Sequence, residues 1–493
     1  MPKSSGKSAR WRAGLVLVAV LVLAGVGLWG RRGHTDHASG PASGPNVLLV
    51  VLDTTRADYF SCYGKRPRTT PRMDDFAADS ARYSRAFSTD FWTLPSHASI
   101  LTGLYPSEAG ATSETNHLPA DVTTLAEHLK EAGYQTGAVV CNAWVSAERG
   151  FDQGFTDYVE MWRARNRPGP GASPARREQA PADQAVAWIE RHAVGPAPFF
   201  LFINFNMAHL PYRPPSRFRA RFQTGYCRPG QVEKLMGIMG EWAFLAGALK
   251  LESDDLRIMA DLYAGEVAFS DECVGKLLDA LSARGVLDET LVVTTSDHGE
   301  NLGDHGMIGH APCMYETTMH VPLIIRYPKR FETGAVIDDL VSLVDLTPTI
   351  LDVCNLWDQR HPLFEKRTSL CGPDRIWRTF VVAENERPVN GIQVLNSRFP
   401  EFDTNPIDYP LRMIRTDRHK LIWHVGRRTE LYDLLVDRRE LHDMSQTHAD
   451  IRDELLEQLE AWVENAGSRG PQVPFESRDA EALELLRSLG YVQ

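Results

Sequence analysis

The sequence predicts an α/β sandwich: a mostly parallel central sheet sandwiched by helices, with a small C-terminal antiparallel-sheet subdomain. Three observations carry that expectation. Apolar runs of strand length recur along the chain, stretches of helical period separate them, and beyond Cys371 the texture changes to short strand candidates with turns between. The first two together are the pattern of helices laid on both faces of a parallel sheet, and the third is that of consecutive antiparallel strands.

Taken in order, Asn46 to Leu52 (NVLLVVL) is a continuous run of β-branched residues and leucine, as expected of a strand buried on both faces. Runs of the same kind are Gly137 to Val140, Phe199 to Phe205, Thr290 to Thr295 and Val321 to Arg326. Helical patterns lie between them at Thr123 to Ala132, Pro181 to His192 and Asp254 to Arg284. Arg163 to Pro181, rich in Arg, Pro, Gly and Ala, reads as a surface excursion. After Cys371 the strand candidates are Thr379 to Glu384, Arg412 to Arg415, His419 to His424 and Glu430 to Asp433, followed by helical stretches at Ile451 to Asn465 and Ala480 to Leu489. No internal repeat is found. The expected division is 46–371 for the catalytic α/β domain and 372–493 for the C-terminal subdomain with its helical tail.

Ahead of this stands a different kind of segment. Lys3, Lys7, Arg10 and Arg12 precede an apolar run from Leu15 to Leu28, and Arg31 and Arg32 follow it. Basic residues before such a run fit a signal anchor with its N-terminus in the cytoplasm, and a cleaved signal peptide is the alternative. The expected parts are a cytoplasmic 1–12, a membrane-spanning 13–30 and a Gly/Ser/Pro-rich tether at 31–45, which place the rest of the chain on the periplasmic or extracellular side.

The formal net charge of -11 excludes nucleic acid as an expected partner, since phosphate backbones are bound by Lys/Arg-rich surfaces. A local Arg/His cluster can still take a small anionic ester on a lipid or glycan. The seven cysteines show no C-x-x-C spacing, which argues against a structural zinc site. Cys354 and Cys371 enclose a short loop-like stretch and can either pair or stay as buried thiols.

Ligands of open α/β sheets collect at the carboxyl ends of the strands, and three chemically loaded segments fall there. Asp53 follows NVLLVVL directly, Phe91 to Gly103 reads FWTLPSHASILTG, and Ser296 to Glu300 (SDHGE) follows LVVTT. Asp53, Asp297 and His298 supply three metal ligands and leave a coordination position open, the pattern of metal-assisted displacement. Thr93 fills that position: Pro95 fixes the backbone after it, and Ser96, His97 and Ser99 begin what reads as a helix whose N-terminal amides face an anion. A bare threonine hydroxyl is a poor nucleophile at neutral pH, and metal coordination favours its alkoxide.

The order and wording of the segments resemble the sulfatase-type branch of the alkaline phosphatase superfamily. The resemblance runs through NVLLVVLDTTRADYFSCYG, TPRMDDFAADSARYSRAFS, FWTLPSHASILTGLYP, TTSDHGENLGDHGMIGH, HVPLIIRYP, SLVDLTPTILDV and the tail segment RHKLIWHVGRRTELYDLLVDRRELHDMS. It implies that Asp53, Asp297 and His298 bind the metal and that Thr93 occupies the nucleophile position. His209, in NMAHLPYRPP, matches a histidine that faces substrate and leaving group, and His310 matches a substrate-contacting Lys or His. Asn142, in GYQTGAVVCNAW, matches loosely as a residue facing the site, and His97 joins the substrate-binding set.

The chain departs from that pattern at three positions. True sulfatases carry Cys or Ser where Thr93 stands, because that side chain becomes a formylglycine aldehyde; the methyl group on the threonine β-carbon forbids this. His97 replaces the motif's usual Arg, and Thr54 replaces a second Asp. A threonine nucleophile resembles phosphodiesterases and phospho-group transferases of the superfamily. With an imidazole at His298, one divalent ion is expected, zinc or manganese ahead of calcium. His209 or His310 is the expected general acid. No second complete metal cluster is legible, although His305 and His310 are spaced so that one can serve as a ligand. The expected function is a metal-dependent phosphodiesterase or phospho-group transferase with a Thr nucleophile. The alternatives are a sulfuric ester hydrolase and an inactive binding protein.

Overall fold

Asn46–Leu52 (β1) sits inside the sheet with six of its seven residues buried, as a continuous apolar run requires. In the computed structural model the described residues are 44–163, 174–236, 240–310, 312–357, 367–372, 375, 377–467, 469 and 475–488. The other strands of the main sheet are Ala81–Phe87 (β2), Gln135–Val140 (β3), Asp157–Glu160 (β4), Phe199–Phe205 (β5), Thr290–Thr295 (β6), His320–Arg326 (β7) and Val336–Ser342 (β8). Their order is β8-β2-β7-β6-β1-β5-β3-β4. β1 pairs parallel with β5 and β6, and β3 parallel with β4 and β5. β7 runs antiparallel to both neighbours, so the sheet is mixed but mostly parallel.

Helices cover both faces. Thr93–Thr102 (α1) and Leu125–Glu131 (α2) pack into the core on one side, where Leu94, Ile100 and Leu125 meet Val47, Leu49 and Val51. Pro174–His192 (α3) and Ser253–Ala283 (α4) lie on the other, where Trp188, Tyr263 and Val267 meet Leu48 and Val50. The alternation of partners along β1 follows from the two-residue period of a strand. β9 (Phe380–Asn385), β10 (Leu411–Thr416), β11 (His419–His424) and β12 (Arg428–Asp433) form the C-terminal antiparallel sheet in chain order. Val381, Ala383 and Met413 of that sheet share a core with β7 and β8. Ala449–Asn465 (α5) covers its other face through Leu455 and Leu459.

One expectation is corrected. Among the described residues no helix is long and apolar enough to cross a membrane. The longest, α4, carries Asp254, Asp255, Arg257, Asp261, Glu266, Asp271, Glu272, Lys276 and Asp279, charges that hydrocarbon does not accept along one span. The transmembrane signal anchor and the single-pass placement that followed from it are therefore withdrawn. The apolar run Leu15 to Leu28 lies outside the described residues. Met1–Pro41 separates as a unit from Ala42–Gln493, to which all the described elements belong. Cys354 and Cys371 are both buried, and all seven cysteines are free thiols.

Candidate active site

The parallel register of β1 with β5 and β6 brings three strand ends side by side. Val51 lies beside Asn204 and Thr295, and the Asp53 amide donates to the Phe205 carbonyl at 2.8 Å. Asp53 and the Ser296-Asp297-His298 turn therefore emerge together, at the carboxyl edge where an α/β sheet carries its chemistry. Thr54, at φ 57°, occupies the left-handed region that side chains with a branched Cβ rarely adopt. Its amide donates to Asp297 Oδ1 at 3.0 Å, and its carbonyl accepts from the Tyr263 hydroxyl of α4 at 2.7 Å. The strain is held by bonds on both sides of that peptide.

Gly299 is needed for close approach. A Cβ there would meet the Thr317 carbonyl oxygen at 2.0 Å, and its amide donates to the Thr318 carbonyl at 2.7 Å. The turn it permits puts the His298 Nδ1–H against the Gly299 carbonyl at 3.0 Å, which leaves the Nε2 lone pair facing Thr93 and Asp297.

Thr93 is the first residue of α1 and is fully buried. Its Oγ1 lies 3.4 Å from His298 Nε2 and 3.5 Å from Asn142 Nδ2. The loop before it is fixed from the C-terminal sheet: Asn385, the last residue of β9, donates to both Asp90 oxygens at 3.0 and 2.9 Å, and Asp90 Oδ1 receives the Trp92 amide at 3.0 Å. Ser96 donates to the Asp297 carbonyl at 2.7 Å, tying the helix to the metal-ligand turn.

Asn142 donates to Asp53 Oδ2 at 2.8 Å, so it borders both Thr93 and Asp53. His97 is placed beneath the site. Its Nδ1–H donates to the Thr93 carbonyl at 2.8 Å, and its Nε2 accepts from Asn204 Nδ2 at 3.1 Å. With no exposed surface, His97 supports Thr93 from within the core. Asn204 also donates to Asp53 Oδ2 at 3.1 Å. It is the one polar side chain in FFLFINF, a cue in the sequence whose weight shows only with the fold.

Asp53, Asp297 and His298 bring their ligand atoms within 4.8 Å of one another, all buried. Among the described residues Asp53 Oδ1 and Asp297 Oδ2 accept no hydrogen bond. Burial, with the Asp53 charge beside it, holds the Asp297 carboxyl well above the usual carboxylate range. Burial and the neighbouring His310 hold His298 well below the usual imidazole value, so it is a neutral ligand. Two bare carboxylate oxygens and an imidazole lone pair converging in a buried pocket fit a divalent cation.

His209 and His310 line the outer side. Their rings are 5.1 Å apart, and that of His310 is 4.7 Å from His298. The His209 Nδ1–H donates to the Leu210 carbonyl at 2.6 Å, and burial and the nearby His310 push its proton affinity down. A cavity opens beside them, lined by Phe91, Trp92, Trp242, Asn385, Glu241 and His310. His305 stands apart, stacked on Tyr315 with ring centroids 3.6 Å apart. The structure also brings in groups that the sequence did not single out. Glu300 and Glu241 meet His310, and the Arg56 guanidinium, paired with Asp58 and Asp304, donates to the Glu300 carbonyl at 3.1 Å.

Comparison with known proteins agrees with this geometry. The family model described as Sulfatase matches residues 45–356. The chain is 25% identical to "Uncharacterized sulfatase YidJ" of Escherichia coli (strain K12), over 84% of this chain and 86% of that protein. It is 24% identical to the N-acetylglucosamine-6-O-sulfatase of Bacteroides thetaiotaomicron, again over 84% of this chain and 86% of the relative. Among solved structures, the phosphonate monoester hydrolase of Agrobacterium radiobacter superposes with a TM-score of 0.67 at 23% identity, covering 87% of this chain and 100% of that one.

Proposed function

On the premise that the chain belongs to the sulfatase family of the alkaline phosphatase superfamily, we propose that it hydrolyses a sulfuric ester carried by a small glycan, with Thr93 as nucleophile. Membership and the intact ligand triad make it a hydrolase of this superfamily. The observation that carries the proposed chemistry is the position of Thr93 Oγ1, at the N-terminus of α1 and 3.4 Å from the ligand nitrogen of His298. Sulfate stands first as the ester because the relatives matched over most of the chain are sulfatases, one of them named for an amino-sugar ester.

Asp53, Asp297 and His298 would hold the cation, for which zinc or manganese suits the imidazole and calcium the carboxylates. When bound, it supplies Lewis-acid polarisation of the ester oxygens and lowers the cost of an alkoxide. The chain's own residues do the rest. Thr93 Oγ1 bonds to the central sulfur, the bond to the leaving alcohol breaks, and water then cleaves the threonine ester and restores the hydroxyl. The proton that Thr93 loses equals the one the alcohol gains. His209, an imidazole neutral at rest beside the cavity, is the carrier we assign to it. Of the first turn of α1, the Thr93 and Leu94 amides are the donors left for the oxyanion, since Pro95 has no N–H and Ser96 donates to the Trp92 carbonyl, and Asn142 keeps Asp53 and Thr93 in register.

A second reading, a phosphate mono- or diester as substrate, is favoured by Thr93 itself, whose β-carbon methyl forbids the aldehyde chemistry of formylglycine. A panel of 4-nitrophenyl sulfate, 4-nitrophenyl phosphate and bis(4-nitrophenyl) phosphate, at equal concentration with added Zn²⁺, Mn²⁺ or Ca²⁺, decides between the two. The expected result is the highest kcat/KM on the sulfate; dominance of either phosphate replaces the leading reading with the second.

A further inference from the structure

Beside the triad, the fold builds a second set of donors that the proposed chemistry does not use. Glu241, Glu300 and His310 are all buried and place one ligand atom each within 4.8 Å of the others. His310 Nδ1 is the ring nitrogen that faces the carboxylates, 3.5 Å from Glu300 Oε1 and 3.9 Å from Glu241 Oε2. Glu300 has no exposed surface, and the Tyr212 hydroxyl is the one hydrogen-bonding group among the described residues that faces its carboxylate. A buried carboxylate normally accepts several, so this one is built for a partner of another kind.

The backbone has been shaped to allow the approach. Gly309 stands at φ 70°, and a Cβ there would lie 2.2 Å from Glu241 Oε2. Without that side chain the Glu241 carboxylate reaches the His310 amide at 2.8 Å and is fixed with its face to Glu300. Glu300 is held from behind, where Arg56 takes its backbone carbonyl rather than its carboxylate. Arg56 is already matched by Asp58 and Asp304 at 2.8 and 2.7 Å, so most of its charge is taken up before it reaches the pair. A divalent ion on Asp53, Asp297 and His298 balances those two aspartates, and the groups left facing Glu241 and Glu300 are the imidazoles of His310 and His209 and the Tyr212 hydroxyl.

We propose that Glu241, Glu300 and His310 form a second divalent-cation site beside the first. Two carboxylates and an imidazole are the donor set of manganese, zinc or iron(II), and three protein ligands leave positions open toward the cavity that Glu241 and His310 line. Ligation through Nδ1 also keeps the remaining proton of His310 on Nε2, which makes that edge a donor toward a bound ester.

The test counts metal. Full-length chain stripped with chelator is dialysed against Mn²⁺ and the ion measured per protein by atomic emission. The wild type is expected to hold about two ions, and Glu300→Gln and Glu241→Gln about one each. Asp297→Asn is also expected at about one, and Asp297→Asn/Glu300→Gln close to none. Unchanged far-ultraviolet circular dichroism shows that each variant is folded. A wild type that binds about one ion, with Glu300→Gln no different, overturns the site and makes the glutamates neutral acids. A wild type with two ions, of which neither glutamate variant loses one, overturns it as well. The count does not depend on which ester is cleaved, so failure of the substrate panel leaves this result standing.

Discussion

At the scale of one residue, the role proposed for Thr93 rests on surroundings that differ from those of an ordinary helix-start threonine. It is sealed from bulk water, its hydroxyl looks at a ligand nitrogen rather than at a backbone amide, and its carbonyl is held by His97. Thr93→Ala removes Oγ1 and leaves the first turn of α1 and the three ligands intact. It is expected to lower kcat by at least about 1,000-fold while metal content stays at the wild-type level. Thr93→Ser keeps the hydroxyl and is expected to retain activity within about tenfold, the methyl group being spectator packing. Steady-state kinetics paired with metal analysis check both. Wild-type turnover by metal-loaded Thr93→Ala means that water attacks directly and that Thr93 is a positioning residue.

At the scale of elements, the turn after β6 shows why a motif has its spacing. Asp297 and His298 point into the site only because Gly299 lets residues 317 and 318 pass against the backbone. Gly299→Ala puts a methyl group into a carbonyl oxygen that cannot retreat without breaking the Glu300 amide bond to Thr317, 3.0 Å long. The expected cost is about 1–3 kcal/mol in denaturant unfolding, together with weaker metal binding as the ligand turn shifts. Unchanged stability and metal affinity would show that the 316–319 segment moves freely.

Legibility in the sequence divides along the same physical line. β1, β5 and β6 are buried on both faces, so their runs announced them and fixed the ends from which Asp53 and Asp297 emerge. Residues 81–87 (ARYSRAF) and 336–342 (VIDDLVS) form strands near or at the sheet edge with half their positions open to polar side chains, and no apolar run marks them. Glu241 opens the short helix Glu241–Leu245, far from the other ligands in the chain, and only the tertiary fold brings it to His310. Asn204 was visible as an oddity, but its bonds to Asp53 and His97 need the neighbouring strands in place.

At the scale of the whole molecule, the C-terminal sheet is fastened to the catalytic layer by buried charge. Lys420 of β11 has no exposed surface and pairs with Glu440 at 2.8 Å and with Glu316 at 3.2 Å, at the start of the 316–319 segment that passes Gly299. Lys420→Met leaves the buried Glu440 without its cation and the half-buried Glu316 with only the more distant Arg415, at 3.8 Å. It is expected to cost about 3–5 kcal/mol in urea unfolding, and the double replacement of both acids by Gln along with it to recover much of that loss. A single variant as stable as the wild type would mean that the two sheets are joined by their shared apolar core alone.

The acidic centre gives the folded protein a pH dependence that metal should invert. Burial, with the Asp53 charge adding to it and His209 and Arg56 opposing it, pushes Glu300 from 4.5 up to about 8, and Tyr212, Glu241 and His310 face it from the other sides. A carboxyl whose folded value is raised stabilises the fold fully below its unfolded value and loses that contribution as pH rises through the folded one. For Glu300 the window runs from about pH 4.5 to about pH 8 and is worth roughly 5 kcal/mol at most, at about 1.4 kcal/mol for each pH unit; Asp297 acts in the same direction. Chelator-stripped protein should therefore show a Tm that falls between pH 5 and pH 8. Protein saturated with Zn²⁺ or Mn²⁺ should hold or gain Tm across the same range, because the ion binds the deprotonated carboxylates and the neutral imidazoles. Melting curves of the two forms at matched scan rate check this. A stripped protein that is as stable at pH 8 as at pH 5 would mean that the buried acids find their counter-charge within the chain.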